Sequence, residues 1–319
     1  MNKTQAQVSH VLKSLARKEE WKHRLQQSEE LHDILLKAAN RYVAGEKRSD
    51  GFAIARKLQA KGYGISLENI GENTKLLAQC REAKMEFDQL IEDVGAIAPG
   101  QTVSFDLSHI GLSYQFDTAY GHLIELAEKA NEHEVTLMIS MEESTKTDQI
   151  LAVYRQAAEL YSNIGITLQA HLFRTPDDLR KLVQLPGKIR IVKGAYQEPS
   201  HLAMERSDYL NNRYLELVDH LVSTNHTVSV ATHDQKLLEE MERRQFLQST
   251  DVEIEMLYGI QPSQLKLFKE KGYQTRVYLT YGHEWFLYLC HRLAEYPENI
   301  YTALIDIINP SLPKVDDMY

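Results

Sequence analysis

The 319-residue chain is 43% hydrophobic and 25% charged, the proportions of a soluble globular protein large enough for one barrel-sized domain or two ordinary ones. A net charge of −9 argues against nucleic acid as the main partner. Two cysteines, Cys80 and Cys290, imply no disulfide framework and fit a reducing cytoplasm.

Residues 4–44 read as helix, with one apolar stripe through Val8, Val11, Leu12 and Leu15 and a second through Leu31, Ile34, Leu35 and Ala38. Gly45 stops this region, and Asp50 is placed to cap a further helix running through Ile54 and Leu58. The N-terminus lacks the apolar core of a signal peptide. No apolar stretch approaches the roughly 20 residues that span a bilayer, so membrane contact is expected to be peripheral at most.

A rhythm then begins. Short apolar runs recur near 64–70, 102–108, 135–141 and 166–171, and again near 189–195, 227–233, 252–257 and 274–280. Helical patterns separate them, such as 74–94 and 146–161. Eight strands, each followed by a helix, predict parallel βαβ units closing into a (β/α)8 barrel. An open doubly wound sheet would call for a G-x-G-x-x-G turn after an early strand, and the chain has none. The expected organisation is a helical arm over 1–62 followed by a barrel over 63–319.

The run Ile189-Arg-Ile-Val-Lys-Gly-Ala-Tyr196 is the most informative strand. A strand buried on both faces tolerates Arg190 and Lys193 only where something anionic or polar meets them. Two interior ion pairs would satisfy that need, and so would an anionic ligand. In barrels of this kind the working residues lie at the C-terminal strand ends. Those positions offer Glu68, Glu72, Asp106, Ser140, Glu142, Gln169 and His171 in the first half. Thr232, His233, Asp234, Glu255, Arg276 and Tyr278 follow in the second. So many polar strand ends suggest one large polar ligand touching most of the rim, against the plainer alternative of a satisfied polar rim. On the final helix, Tyr288, His291, Arg292 and Glu295 share one face, which would be solvated on an ordinary outer helix.

Several segments together resemble the proline dehydrogenase family of the monofunctional bacterial type. They are Arg190 to Tyr196, Ala231-Thr-His-Asp234, Met256-Leu-Tyr-Gly259, Tyr278 to Trp285 leading into His291-Arg-Leu-Ala-Glu295, and the earlier Arg41 to Glu46 and Leu67 to Glu72. The resemblance runs from about residue 40 to 310. It implies a distorted (β/α)8 barrel with FAD at its mouth and the last helix over it. The cofactor would be held by Gln169, Arg190, Lys193, Gly194, Ala195, Tyr196, Thr232, His233, Asp234 and Glu295. It further implies hydride transfer from C5 of L-proline to flavin N5, giving pyrroline-5-carboxylate, with a quinone at the membrane or another acceptor taking the electrons. The substrate would meet Tyr278, Arg292, His291, Leu257 and the positions of Asp106, Ser140 and Glu72. No metal is implied.

The substrate half departs from the family pattern. Asp106 stands where a lysine is usual, Ser140 where an aspartate is usual, and His291 in place of the first of two arginines. Losing two charge-assisted pairs weakens carboxylate binding by a factor of about 100 to 10,000. A related cyclic amine as substrate, or an FAD-binding member with no catalysis, is therefore the alternative reading. A barrel lyase using Lys193 as a Schiff-base nucleophile is a third, and it leaves Arg190, His233 and Glu295 without work.

Overall fold

Strands rich in Val, Ile and Leu pair in chain order and all in parallel, until the last returns to the first. The computed structural model describes residues 3–16, 20–21, 27–296, 299–309 and 314–319. The strands are β1 (Gly64–Asn69), β2 (Thr102–Phe105), β3 (Thr136–Ile139), β4 (Ile164–Gln169), β5 (Ile189–Val192), β6 (Val228–Ala231), β7 (Val252–Leu257) and β8 (Gln274–Tyr281). Closure runs over six residues, from Gly64 opposite Arg276 to Asn69 opposite Tyr281. The expected barrel is the fold observed.

The helices wrap it because each carries an apolar stripe. Helix Leu77–Gly95, for instance, buries Phe87, Leu90, Ile91 and Val94. Helix Arg48–Ala60 lies against both β1 and β8, burying Ala55 and Leu58. Asp50 caps that helix as expected, but from its third position, with Lys47 standing ahead of it. The Asp50 carboxylate accepts from the Lys47 backbone N–H at 3.0 Å. The helix after β8, Trp285–Glu295, crosses toward the rim instead of returning down the outside. Trp285, Phe286 and Leu289 form a second apolar cluster there with Ala38, Ala39, Tyr42 and Val43. The outer position over β1 and β8 is thereby left to helix Arg48–Ala60.

The barrel interior is charged in two layers. Near the N-terminal strand ends, Arg276 Nε lies 3.0 Å from both oxygens of Glu253, Arg276 Nη1 donates to the Ile65 carbonyl at 2.5 Å, and Lys188 Nζ reaches Glu253 at 2.9 Å. Arg276 is therefore a base-of-barrel residue rather than a rim residue. One layer higher, Arg190 meets Glu255 through Nε at 2.7 Å and Nη2 at 2.8 Å.

Candidate active site

Arg190 is 3% exposed, so its charge must be met from within. Besides Glu255 it has the hydroxyls of Ser66 at 3.2 Å and Ser104 at 3.0 Å, and Ser229 donates to the same Glu255 at 2.6 Å. The Tyr278 ring lies 4.8 Å from the guanidinium. Burial works against the charge, but Glu255, Tyr278 and Glu68 together outweigh it and leave the arginine pKa raised. The guanidinium is thus compensated by the protein itself, and the first of the two interior ion pairs that the strand allowed is present. The second is present too. β5 ends at Val192, and Lys193 beyond it places Nζ 2.5 Å from Asp234 Oδ2. Asp234 also caps helix Gln235–Arg243, accepting from Lys236 N at 3.0 Å and Leu237 N at 3.3 Å, while its own N–H donates to Thr232 Oγ1.

The acidic part of the rim comes from the exits of β1, β2 and β3. The Tyr278 hydroxyl donates to Glu68. Burial raises Glu68 to about 6 against the pull of Tyr278 and Arg190, with Glu72 adding to the rise. Burial, then the carboxylates of Glu142, Glu68 and Glu72, hold Asp106 well above the usual carboxylate range. Lys146 relieves this cluster, donating to Glu142 at 2.6 Å and to Asn73 at 2.6 Å. Tyr196 feels Asp106, Glu72 and Glu142 from across the mouth, and burial with those charges pushes its phenol upward. Gln169, 2% exposed at the end of β4, donates to the Glu142 carbonyl at 2.8 Å.

The last helix closes the arrangement. Arg292 pairs end-on with Glu295, Nη1 at 2.8 Å and Nη2 at 2.9 Å, and its guanidinium carbon stands 5.0 Å from the Tyr288 ring centroid. His291 is half-buried beside it on the same helix. Burial and then the Arg292 charge lower His233 to about 4, so the ring is neutral at physiological pH. The Leu257 N–H donates to His233 Nε2 at 3.0 Å, which fixes the remaining proton on Nδ1. On the β5 exit, Gly194 has φ of 104°, and a Cβ there would stand 2.6 Å from the His171 ring. Arg206 donates to the Gly194 carbonyl at 2.5 Å, and Ala195 is exposed.

Arg206 and Lys146 were missing from the residues expected to build the site, and Glu68, Glu142 and Glu255 appeared only as strand ends. Glu255 had a signal: in Val252-Glu-Ile-Glu255 the two acids share one face of a buried strand, so two cations must meet them. Arg206 and Lys146 sit in connections between strands and carried none.

The proline dehydrogenase family model matches residues 53–300. The chain belongs to the proline dehydrogenase family. It is 32% identical over 272 residues to the proline dehydrogenase of Deinococcus radiodurans, covering 82% of this chain and 87% of that one. It is 30% identical over 274 residues to proline dehydrogenase 1 of Bacillus subtilis, covering 85% and 90%. Among solved structures, the proline utilization A protein of Bdellovibrio bacteriovorus inactivated by N-propargylglycine superposes with a TM-score of 0.74 at 17% identity. That match covers 87% of this chain but 36% of the longer protein, and it carries the fold alone.

Proposed function

We propose that this family member is an FAD-dependent dehydrogenase of L-proline, releasing pyrroline-5-carboxylate. What carries the reading is the family match over residues 53–300 together with two of the buried rim atoms that lack a hydrogen-bond partner among the described residues, Arg292 Nε and Gln169 Oε1. A buried donor without an acceptor costs about 1–3 kcal/mol, which a bound carboxylate returns. Arg292 already gives its Nη end to Glu295, so a substrate carboxylate would come side-on to Nε.

For the cofactor, the fit rests on the other orphaned atom, the Gln169 oxygen, and on the glycine cradle at 194 beside Lys193 and Arg206. Lys193, Arg206, Thr232 and neutral His233 offer donors suited to a ribityl and pyrophosphate chain, with Tyr196 and Ala195 beyond them. Arg190, beside Tyr278 and held by Glu255, would be the guanidinium that faces a bound flavin ring. Bound FAD would accept the C5 hydrogen of proline with both bonding electrons at N5. The ring nitrogen gives up its proton to solvent as the C=N bond forms. Leu257 closes on the apolar ring of the substrate, and Tyr278 walls its other side.

Asp106 and His291 take away more positive charge from around the carboxylate than Ser140, which removes a negative one, restores, so weak binding of proline is expected. The electrons would pass to a quinone or another acceptor. No helix among the described residues is long and apolar enough to cross a membrane, so a membrane quinone would be met peripherally from the cytoplasm. Residues 1–62 are proposed as a helical arm serving the barrel of 63–319. Anaerobic titration of the FAD-loaded protein with L-proline tests the assignment. Bleaching of the flavin absorbance is the expected result. A protein that cannot be loaded with FAD, or one whose flavin no imino acid or cyclic amine bleaches, overturns it.

A further inference from the structure

Tyr278 on β8 gives its hydroxyl hydrogen to Glu68 on β1. A phenol makes one donation, and here Glu68 takes it. With Glu68 ionised, a substrate lying against Tyr278 meets an oxygen that has no hydrogen to give. With Glu68 protonated, the carboxylic acid becomes the donor, and the phenol hydrogen is released toward the mouth. We propose that Glu68 is a positioning residue which, by its charge, decides whether Tyr278 can donate to the carboxylate of the bound substrate. This rests on the reading of the site as one for a ring carboxylate.

The groups facing Glu68 are Tyr278 on β8, Arg190 on β5, Glu72 in its own exit loop, Asp106 beyond β2 and Tyr288 on the last helix. Two of these are carboxylates and one is the guanidinium already held by Glu255. Burial brings the Glu68 transition to about 6, inside the range where both states can be measured. An anionic ligand prefers the neutral acid twice over, through lost repulsion and through the released hydroxyl, so its Kd rises with pH across that transition.

The probe is cyclopentanecarboxylate, which keeps the ring and the anion but has no nitrogen to oxidise. Its Kd on the FAD-loaded protein is measured by calorimetry at pH 5 and pH 7.5, with no turnover involved. About tenfold weaker binding at the higher pH is expected, the size of one lost hydrogen bond to a charged group. Glu68→Gln should bind alike at both pH values, Glu68→Asp should restore the step, and Asp106→Asn should retain it. Thermal unfolding of each variant separates a folding defect from a lost step. A pH step that persists in folded Glu68→Gln, one that vanishes in Asp106→Asn instead, or no binding at either pH overturns the proposal. Failure of proline to bleach the flavin, with the step intact, would count against the dehydrogenase reading and leave Glu68 as argued.

Discussion

Replacing Glu255 by glutamine keeps the volume and removes the charge that Arg190 depends on. Arg190 is 3% exposed and would keep only the Ser66 and Ser104 hydroxyls and the Tyr278 ring. Two charge-assisted hydrogen bonds at 2.7 and 2.8 Å weaken together. At roughly 4 Å between charge centres and an effective dielectric near 20, the lost attraction is about 4 kcal/mol. That agrees with the roughly 3–5 kcal/mol found when one member of a buried pair is removed. Urea unfolding of the flavin-free protein, followed by circular dichroism and by the fluorescence of Trp21 and Trp285, measures it where the two probes coincide. The double variant Arg190→Met with Glu255→Met should lose less than Glu255→Gln alone, because no charge is stranded. A loss under about 1 kcal/mol for the single variant, or a larger loss for the double, would refute this account of the barrel interior. If Arg190 also faces the flavin, the double variant should fold yet purify with little FAD.

Other outcomes follow from the same geometry. Arg292→Ala should raise the KM for proline at least tenfold, since the guanidinium is the arginine that the substrate half retains; an unchanged KM refutes the side-on carboxylate. Asp106→Lys should raise kcat/KM for proline about tenfold, because the new ammonium would find Glu68, Glu72 and Glu142 around it and add a charge toward the carboxylate. No gain, alone or with His291→Arg, means that the departures are compensated elsewhere. Arg276 and Lys188 outweigh burial and hold Glu253 at about 2, below its usual 4.5. Its stabilisation is therefore present above pH 4.5 and is lost as pH falls toward 2, on the order of 3 kcal/mol. Glu253→Gln should show a smaller drop in urea stability between pH 6 and pH 3 than the unaltered chain, and equal drops would contradict the pairing.

What the sequence determined by itself was the order of elements and the closure they favour. Eight apolar runs of strand length alternating with helical stripes call for a parallel sheet, and that count without a dinucleotide turn favours closure into a barrel. The motif order from residue 40 onward carried the family. The strand of residues 189–196 also stated its demand for two opposite charges, without saying whether protein or ligand met it. Only the tertiary structure answered that. Arg190 finds Glu255 at 65 residues' separation and Tyr278 finds Glu68 at 210, distances in sequence that no spacing rule addresses. Closure brings them together because inward side chains of a barrel meet across its axis, whatever their separation along the chain. The last helix makes the same point. Its shared face of Tyr288, Arg292 and Glu295 was legible as a face, but its turn toward the rim depends on the N-terminal helices, whose Ala38, Ala39 and Tyr42 cover Trp285 and Phe286. An amphipathic stripe says which side of a helix avoids water, and the partner it packs against decides where the polar side is left to work.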